Sequence, residues 1–244
     1  ILGFWNIFFG DREAQPHHFL HIATAFIWMS LLLAQLILIA RRSYRTHRTV
    51  GLAVLVAGPL LFATTAMLAV HSAHKGMVSG EGDFMIVQNV MGSFELGLII
   101  FLAFLLKRRR KLHGSLLLST TIMFMGIALF FALTSFAPPF RVDGPETFYR
   151  FQMAGAAGQV TCLAVGVMFF IRDPRNGWPF LAAAFCFPFN DALYSLLARL
   201  ELIDPLTALV GSMSQPLTFI ATFMLLFSLL LATALPAVRQ PRAI

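Results

Sequence analysis

Seven long apolar runs constrain the fold of this chain more than any other feature. An α-helix needs about 20 residues to cross the hydrocarbon core of a bilayer, and each run has about that length. Of the 244 residues, 58% are hydrophobic and 12% are charged, whereas about a quarter of a soluble domain is charged. The runs predict membrane spans at 19–40, 50–70, 84–106, 114–136, 152–171, 178–198 and 207–235.

The pattern within the runs predicts helices. Strands of a membrane barrel alternate apolar and polar residues over about ten positions, but these runs are continuously apolar. Backbone N–H and C=O groups find no water in the hydrocarbon core, so a spanning segment must pair them internally, as a helix does. We therefore predict a single transmembrane domain over 1–244, an all-α bundle of seven helices.

The distribution of basic residues predicts how the bundle is oriented. A net charge of +7 would suggest a nucleic-acid partner for a soluble protein, but 13 of the 18 Lys and Arg residues fall in alternate connections. Lys and Arg collect in cytoplasmic loops. We expect the amino terminus outside, the carboxyl terminus in the cytoplasm, and the lipid bilayer as partner. These 13 residues are Arg41, Arg42, Arg45, Arg48, the run 107–111, Arg172, Arg175, Arg239 and Arg242.

The connections between the spans are short. Only two outer loops, 71–83 and 137–151, are substantial, and no cytoplasmic loop can hold a folded domain. Binding or catalytic chemistry is therefore expected in the bundle or on its outer rim. The stretch 1–10, "ILGFWNIFFG", is too short to span and is expected to lie along the outer membrane surface.

Two groups of histidines are predicted to meet on that outer rim. "PHHFLH" supplies His17, His18 and His21, and "HSAHKG" supplies His71 and His74. Residues three or four apart share one face of a helix, and an antiparallel hairpin sets the start of the first span beside the end of the second. Imidazoles bind Zn²⁺, Cu²⁺ or Fe. The groups predict a metal site or an axial haem site, and an interfacial role without a cofactor is the alternative.

A second pair, His47 and His113, lies at the starts of the second and fourth spans, at the predicted cytoplasmic edge of the membrane. Two imidazoles from neighbouring helices can ligate one haem iron, which would complete an electron path across the membrane with an outer haem. The simpler interpretation is that each histidine closes a basic cluster and contacts lipid headgroups.

Four of the polar residues within predicted spans are candidates for a function. Glu95 and Asp191 fall near the middle of theirs, where a charged group usually faces protein or water and marks a pathway. Gln88 shares a helical stripe with Glu95, with Asn89 beside it, and Pro188 is expected to interrupt the helix just before Asp191. These acids predict either proton-coupled transport of a small molecule or hydrogen-bonded packing.

Several common signatures are absent from the sequence. It contains no Walker motif, no Gly-x-Ser-x-Gly and no His-x-x-His-His box, so no catalytic residue is assigned. The fifth span, "MAGAAGQVTCLAVG", is rich in Gly and Ala, which predicts close helix packing.

His21, "THRTVG" at the start of the second span and "RRRKLHGSLLLST" at the start of the fourth carry a resemblance. Over residues 17–136 the chain resembles a family of uncharacterised, predicted bacterial multi-spanning membrane proteins. It is loosely similar to four-helix b-type cytochromes, such as the transmembrane ascorbate-dependent ferric reductases. The resemblance implies a bacterial inner (plasma) membrane protein that holds haem b, with His47 and His113 as inner ligands and His21 with His71 or His74 as outer ones.

Three functional hypotheses follow. The leading one is an integral membrane protein that binds a metal ion (Zn, Cu or Fe) or haem at the outer histidines, with a redox, electron-transfer or cofactor-handling role. The second is a cofactor-free accessory subunit that packs against other membrane subunits through a surface rich in its 26 phenylalanines. The third is a proton-coupled carrier that uses Glu95 and Asp191.

The orientation can be tested by labelling single cysteines in intact cells. We expect Ser79→Cys to react with an impermeant thiol reagent added outside, and Ser43→Cys to react only after the membrane is opened. The reverse pattern would contradict the orientation drawn from the basic connections.

Overall fold

The computed structural model describes residues 15–80, 82–142 and 144–234, so the predicted surface segment 1–10 lies outside the described residues. Seven helices in this part are long and apolar enough to cross a membrane, and the described chain is helical without strands. The prediction of an all-α, seven-helix membrane bundle is confirmed. The helices are α1 (Pro16–Ala40), α2 (Tyr44–Gly51), α3 (Val54–Ser79), α4 (Ile86–Leu105), α5 (Arg110–Phe136), α6 (Tyr149–Arg172), α7 (Pro174–Arg199), α8 (Ile203–Gly211) and α9 (Gln215–Ala234).

Every helix except α2 and α8 is long enough to span the bilayer. The start of α1 and the end of α3 lie at one end of the bundle, which we call the histidine end, and the opposite end is the basic end. The short helix α2 joins α1 to α3 at the basic end, whereas α8 packs against α3 and α4 at the histidine end. Exposed apolar side chains cover the spanning helices, so their outer faces suit contact with lipid.

Helix α3 is longer than its predicted span. The expectation that an outer loop begins at residue 71 is wrong, because α3 continues to Ser79 and is capped by Gly80 at φ 73°. Glycine adopts this left-handed conformation without a Cβ penalty and commonly ends helices. His71 and His74 therefore stand on the last turns of a helix, which fixes the direction of each side chain.

The seventh predicted span, 207–235, is divided in the structure. Its first residues belong to α8, which ends at Gly211, and α9 begins only at Gln215. A Cβ at Gly211 would lie 3.0 Å from backbone atoms of Ala73 and His74. The absence of that Cβ lets α8 lie directly on α3 at the histidine end.

Helix α7 runs without a break through Pro179 and Pro188, so the predicted interruption at Pro188 is wrong. Proline removes one backbone hydrogen bond, but packing by neighbouring helices supports such positions in membrane helices. Beside Pro188, the buried Phe187 ring packs against Gly126 of α5, where a Cβ would overlap the ring.

The core of the bundle surrounds the fully buried Trp28 of α1. Its indole Nε1 donates a hydrogen bond of 3.0 Å to Thr120 Oγ1 on α5. A Cβ at Gly58 of α3 would lie 3.4 Å from the indole and 3.2 Å from Ile100. Small residues on α3 thus let three helices approach one large aromatic side chain.

Helix α6 buries one narrow stripe of residues spaced four apart. Ala154, Gly158, Cys162 and Gly166 are its buried residues, which confirms the close packing predicted from the Gly- and Ala-rich sequence. Small side chains allow close approach where no water drives helices together.

Two glycines of α6 provide a matched test of this packing. We expect Gly166→Ala to lower the stability of the folded protein by about 1–3 kcal/mol, because the new Cβ would lie 2.9 Å from the Phe180 carbonyl oxygen and 3.0 Å from the Leu181 Cα of α7. Gly155→Ala should leave stability nearly unchanged, since no heavy atom lies within 4 Å of the place that its new Cβ would take. Thermal unfolding of the purified variants measures both, and equal stability would contradict the account.

Candidate metal centre

Three histidines meet at the histidine end of the bundle. One candidate ligand atom from each of His17, His18 and His71 lies within 4.8 Å of the other two. The ring centroids of His17 and His71 are 3.9 Å apart, and those of His17 and His18 are 4.3 Å apart. The prediction that the two sequence groups meet is confirmed, and we call these three residues the histidine triad.

The packing of α1 against α3 sets the level at which the triad forms. Thr24 Oγ1 and Thr64 Oγ1 share a buried hydrogen bond of 2.9 Å between the two helices. His17 and His18 stand in the first turn of α1, two turns from Thr24, and His71 stands two turns beyond Thr64. Because the helices are antiparallel, these equal offsets bring the imidazoles together.

The nitrogen atoms of the triad differ in their hydrogen bonding. His17 Nε2 is buried and has no hydrogen-bond partner among the described residues. His18 Nδ1 accepts the backbone N–H of Gln15 at 3.1 Å, which caps the start of α1. A neutral ring that accepts at Nδ1 carries its hydrogen on Nε2. Metal binding by His18, at Nδ1 directly or at Nε2 after the hydrogen moves to Nδ1, therefore breaks this cap hydrogen bond and is coupled to the first turn of α1.

A positive charge lies close to the triad. Lys75 follows His71 by one helical turn and is exposed, and it interacts electrostatically with both His18 and His71. An ammonium group at this place opposes the binding of a cation. It also favours neutral imidazoles, which is the form that ligates a metal.

His21 and His74 lie outside the triad. His21 Nδ1 is 3.3 Å from Thr64 Oγ1, so this imidazole extends the polar contact between α1 and α3. His74 Nδ1 donates to the Gly211 carbonyl at 3.2 Å and thereby holds α8 against α3. In these contacts both residues join helices, and their predicted ligand roles stay predictions.

At the basic end, His47 docks α2 against α1 through Gln35. The Gln35 amide donates to His47 Nδ1 and to the His47 carbonyl oxygen at 3.2 Å, and its own oxygen accepts the Gly51 N–H at 2.9 Å. Burial lowers the pKa of His47, and the neighbouring His113 and Arg48 lower this pKa further. The lowered pKa favours the neutral form of His47, and because Nδ1 accepts from Gln35 the ring hydrogen is on Nε2.

His113 makes a different contact. Its Nδ1 donates to the Ala103 carbonyl oxygen of α4 at 2.7 Å, which leaves the lone pair on Nε2. His47 and His113 thus favour opposite tautomers, and each hydrogen bond ties a helix end in place. These contacts suit structural histidines, and the haem pair stays a prediction.

The polar residues within the spans form pairs between helices. Asn190 Nδ2 of α7 donates to Glu95 Oε2 of α4 at 3.1 Å, and Gln159 Nε2 of α6 donates to Asp191 Oδ2. Asn190, Asp191, Gln159 and Gln88 also line a cavity of about 500 Å³ between α4, α5, α6 and α7. Asn89 is half-buried beside Gln88 and is absent from this lining.

Three residues of these sites escaped prediction from the sequence. Lys75 falls in the predicted outer loop 71–83, although its spacing of four from His71 places it on the same face of a helix. Thr64 and Gln159 gave no signal of their own, because only the tertiary structure shows which polar groups on other helices they meet.

Comparisons of the chain with protein-family models, with curated proteins and with solved structures found no match.

Proposed function

We propose that this multi-pass membrane protein binds a divalent transition-metal ion, Zn²⁺ or Cu²⁺, at the histidine triad. The observation that carries the proposal is the set of three candidate nitrogen ligands within 4.8 Å of one another. Zinc–imidazole bonds of about 2.0–2.1 Å require the three nitrogens to move slightly closer together. The unpartnered His17 Nε2 offers a buried lone pair or N–H that a bound ligand would satisfy.

The donor set favours Zn²⁺ or Cu²⁺ over iron. Imidazole nitrogens suit both metals, whereas non-haem Fe²⁺ sites usually add a carboxylate to two histidines. Among the described residues, the group that could hold a metal contains histidines only. Asp83 is not a member of this group; its Oδ1 accepts the Met85 N–H at 2.9 Å before α4, and its buried Oδ2 has no hydrogen-bond partner among the described residues.

Ring contact also favours a bare ion over haem at this position. A haem with two axial histidines lies between their imidazoles, but the rings of His17 and His71 are in direct contact at 3.9 Å. The outer haem that the resemblance implied uses His21 with His71 or His74, whereas His71 contacts His17 in this structure.

Three protein ligands leave one coordination position open. Zinc sites that exchange ligands or perform chemistry keep such a position, whereas structural zinc sites are closed by four protein ligands. A site at the rim of a membrane bundle with an open position suits metal handling. A redox role belongs to the same site only if the metal is copper, because Zn²⁺ has no redox chemistry.

Metal titration of the purified protein tests this proposal. We expect one equivalent of Zn²⁺ to bind, monitored by competition with a zinc-responsive dye. His71→Gln should weaken binding by at least about tenfold, since even changes outside the ligand shell cost 10–100-fold in affinity. Affinity should also fall as the pH is lowered, because protons compete for imidazole nitrogens.

Two variants serve as controls for the metal titration. His74→Gln removes a histidine one turn away that binds Gly211, and it should leave zinc affinity unchanged. Lys75→Gln removes the opposing charge and should strengthen binding by about twofold to fivefold, as expected for an exposed charge pair. Equal affinity in wild type and His71→Gln, or a Soret band in place of zinc binding, would contradict the proposal.

A further inference from the structure

A second site lies away from the triad, in the cavity between α4, α5, α6 and α7. Its volume is about 500 Å³, which is within the range of about 300–1,000 Å³ for sites that hold small molecules. On α7 its lining runs from Phe187 to Ser195, and on α6 from Phe151 to Gln159. At a rise of 1.5 Å per residue each wall is about 12 Å long, so the cavity is a vestibule that reaches from the histidine end into the bundle.

The polar wall of the vestibule includes two hydrogen-bond acceptors, Asn190 and Asp191, beside the side chains of Gln88, Gln152, Gln159, Tyr194 and Ser195. Asn190 is 1% exposed, and its Nδ2 is used by Glu95. Its Oδ1 is buried without a hydrogen-bond partner among the described residues. The next residue, Asp191, adds a carboxylate that receives one hydrogen bond from Gln159. A buried amide oxygen left unpaired is costly, so a ligand that donates a hydrogen bond to Asn190 Oδ1 would be favoured.

The other walls are aromatic. Phe84, Phe130, Phe151 and Phe187 line the vestibule, and Phe130 and Phe151 contact edge to face with their centroids 4.6 Å apart. Aromatic faces carry partial negative charge and attract cations. The described lining contains no Lys or Arg, so Asp191 is its one formal charge.

We infer that this vestibule binds an organic cation, a protonated amine attached to an apolar body. The ammonium group would donate to Asn190 Oδ1 and Asp191, and the apolar body would lie against the phenylalanine rings. An anion finds no basic side chain in the lining. A neutral apolar molecule would leave Asn190 Oδ1 unpaired. The site shares no residue with the histidine triad, so it stands independently of metal binding.

Binding of matched ligands to the protein in phosphatidylcholine nanodiscs tests this inference. The probe is 2-(2-naphthyl)ethylammonium, followed by its fluorescence after subtraction of the signal from protein-free nanodiscs. We expect saturable binding of the ammonium. The alcohol of the same shape, 2-(2-naphthyl)ethanol, and the anion 2-naphthylacetate should bind at least about tenfold more weakly, the loss expected for a hydrogen bond to a charged group.

Variants locate the bound ammonium. Asp191→Asn should weaken its binding about 10- to 100-fold, whereas Glu201→Gln, at the same end of the bundle but outside the cavity, should have no effect. Phe130→Leu should weaken binding by about threefold to tenfold. Phe136→Leu is its control, because Phe136 is on the same helix, is 51% exposed and lies outside the lining.

Two results would overturn the inference. One is equal binding of the ammonium and the alcohol to wild-type protein, which requires no variant to fold. The other is unchanged ammonium binding in an Asp191→Asn protein that elutes and unfolds like wild type.

Discussion

The antiparallel packing of α1 against α3 is the contact on which the candidate metal site depends. The hydrogen bond between Thr24 and Thr64 fixes the level of the two helices deep within the pair. Two turns from Thr24 towards the start of α1 lie His17 and His18, and two turns from Thr64 towards the end of α3 lies His71. Because the helices are antiparallel, the three rings meet. A shift of one residue between the helices would turn these rings away from one another, because neighbouring positions on a helix point about 100° apart.

The two ends of the bundle use histidine differently. At the basic end, His47 and His113 hydrogen-bond to a glutamine side chain and to a backbone carbonyl, and their contacts fasten α2 to α1 and α5 to α4. At the histidine end, His74 similarly fastens α8. The triad differs because its rings contact one another and one buried nitrogen, His17 Nε2, has no partner among the described residues. Such a shortage of partners is typical of a site that receives a ligand.

Much of the fold could be predicted from the sequence, because hydrocarbon permits few alternatives to a continuous helix. The apolar runs therefore located all seven spans and the level at which the two histidine groups meet.

Helix ends were harder to predict. His71 and His74 lie in polar sequence that resembles a loop, but the helix continues until Gly80 provides a left-handed cap. The split before α9 depends on Gly211 lying against α3, a tertiary contact that local sequence does not reveal. The vestibule likewise depends on how four helices pack, so sequence indicated its acid, Asp191, but neither its partner Gln159 nor its aromatic walls.

The most direct test of the account is the coordination of the metal itself. X-ray absorption at the zinc edge of the zinc-loaded protein reports the type, number and distance of the ligand atoms. The account predicts three imidazole nitrogens at about 2.0–2.1 Å and one further light atom from solvent. A spectrum with one imidazole or none, or with sulfur in the first shell, would contradict a site built from His17, His18 and His71.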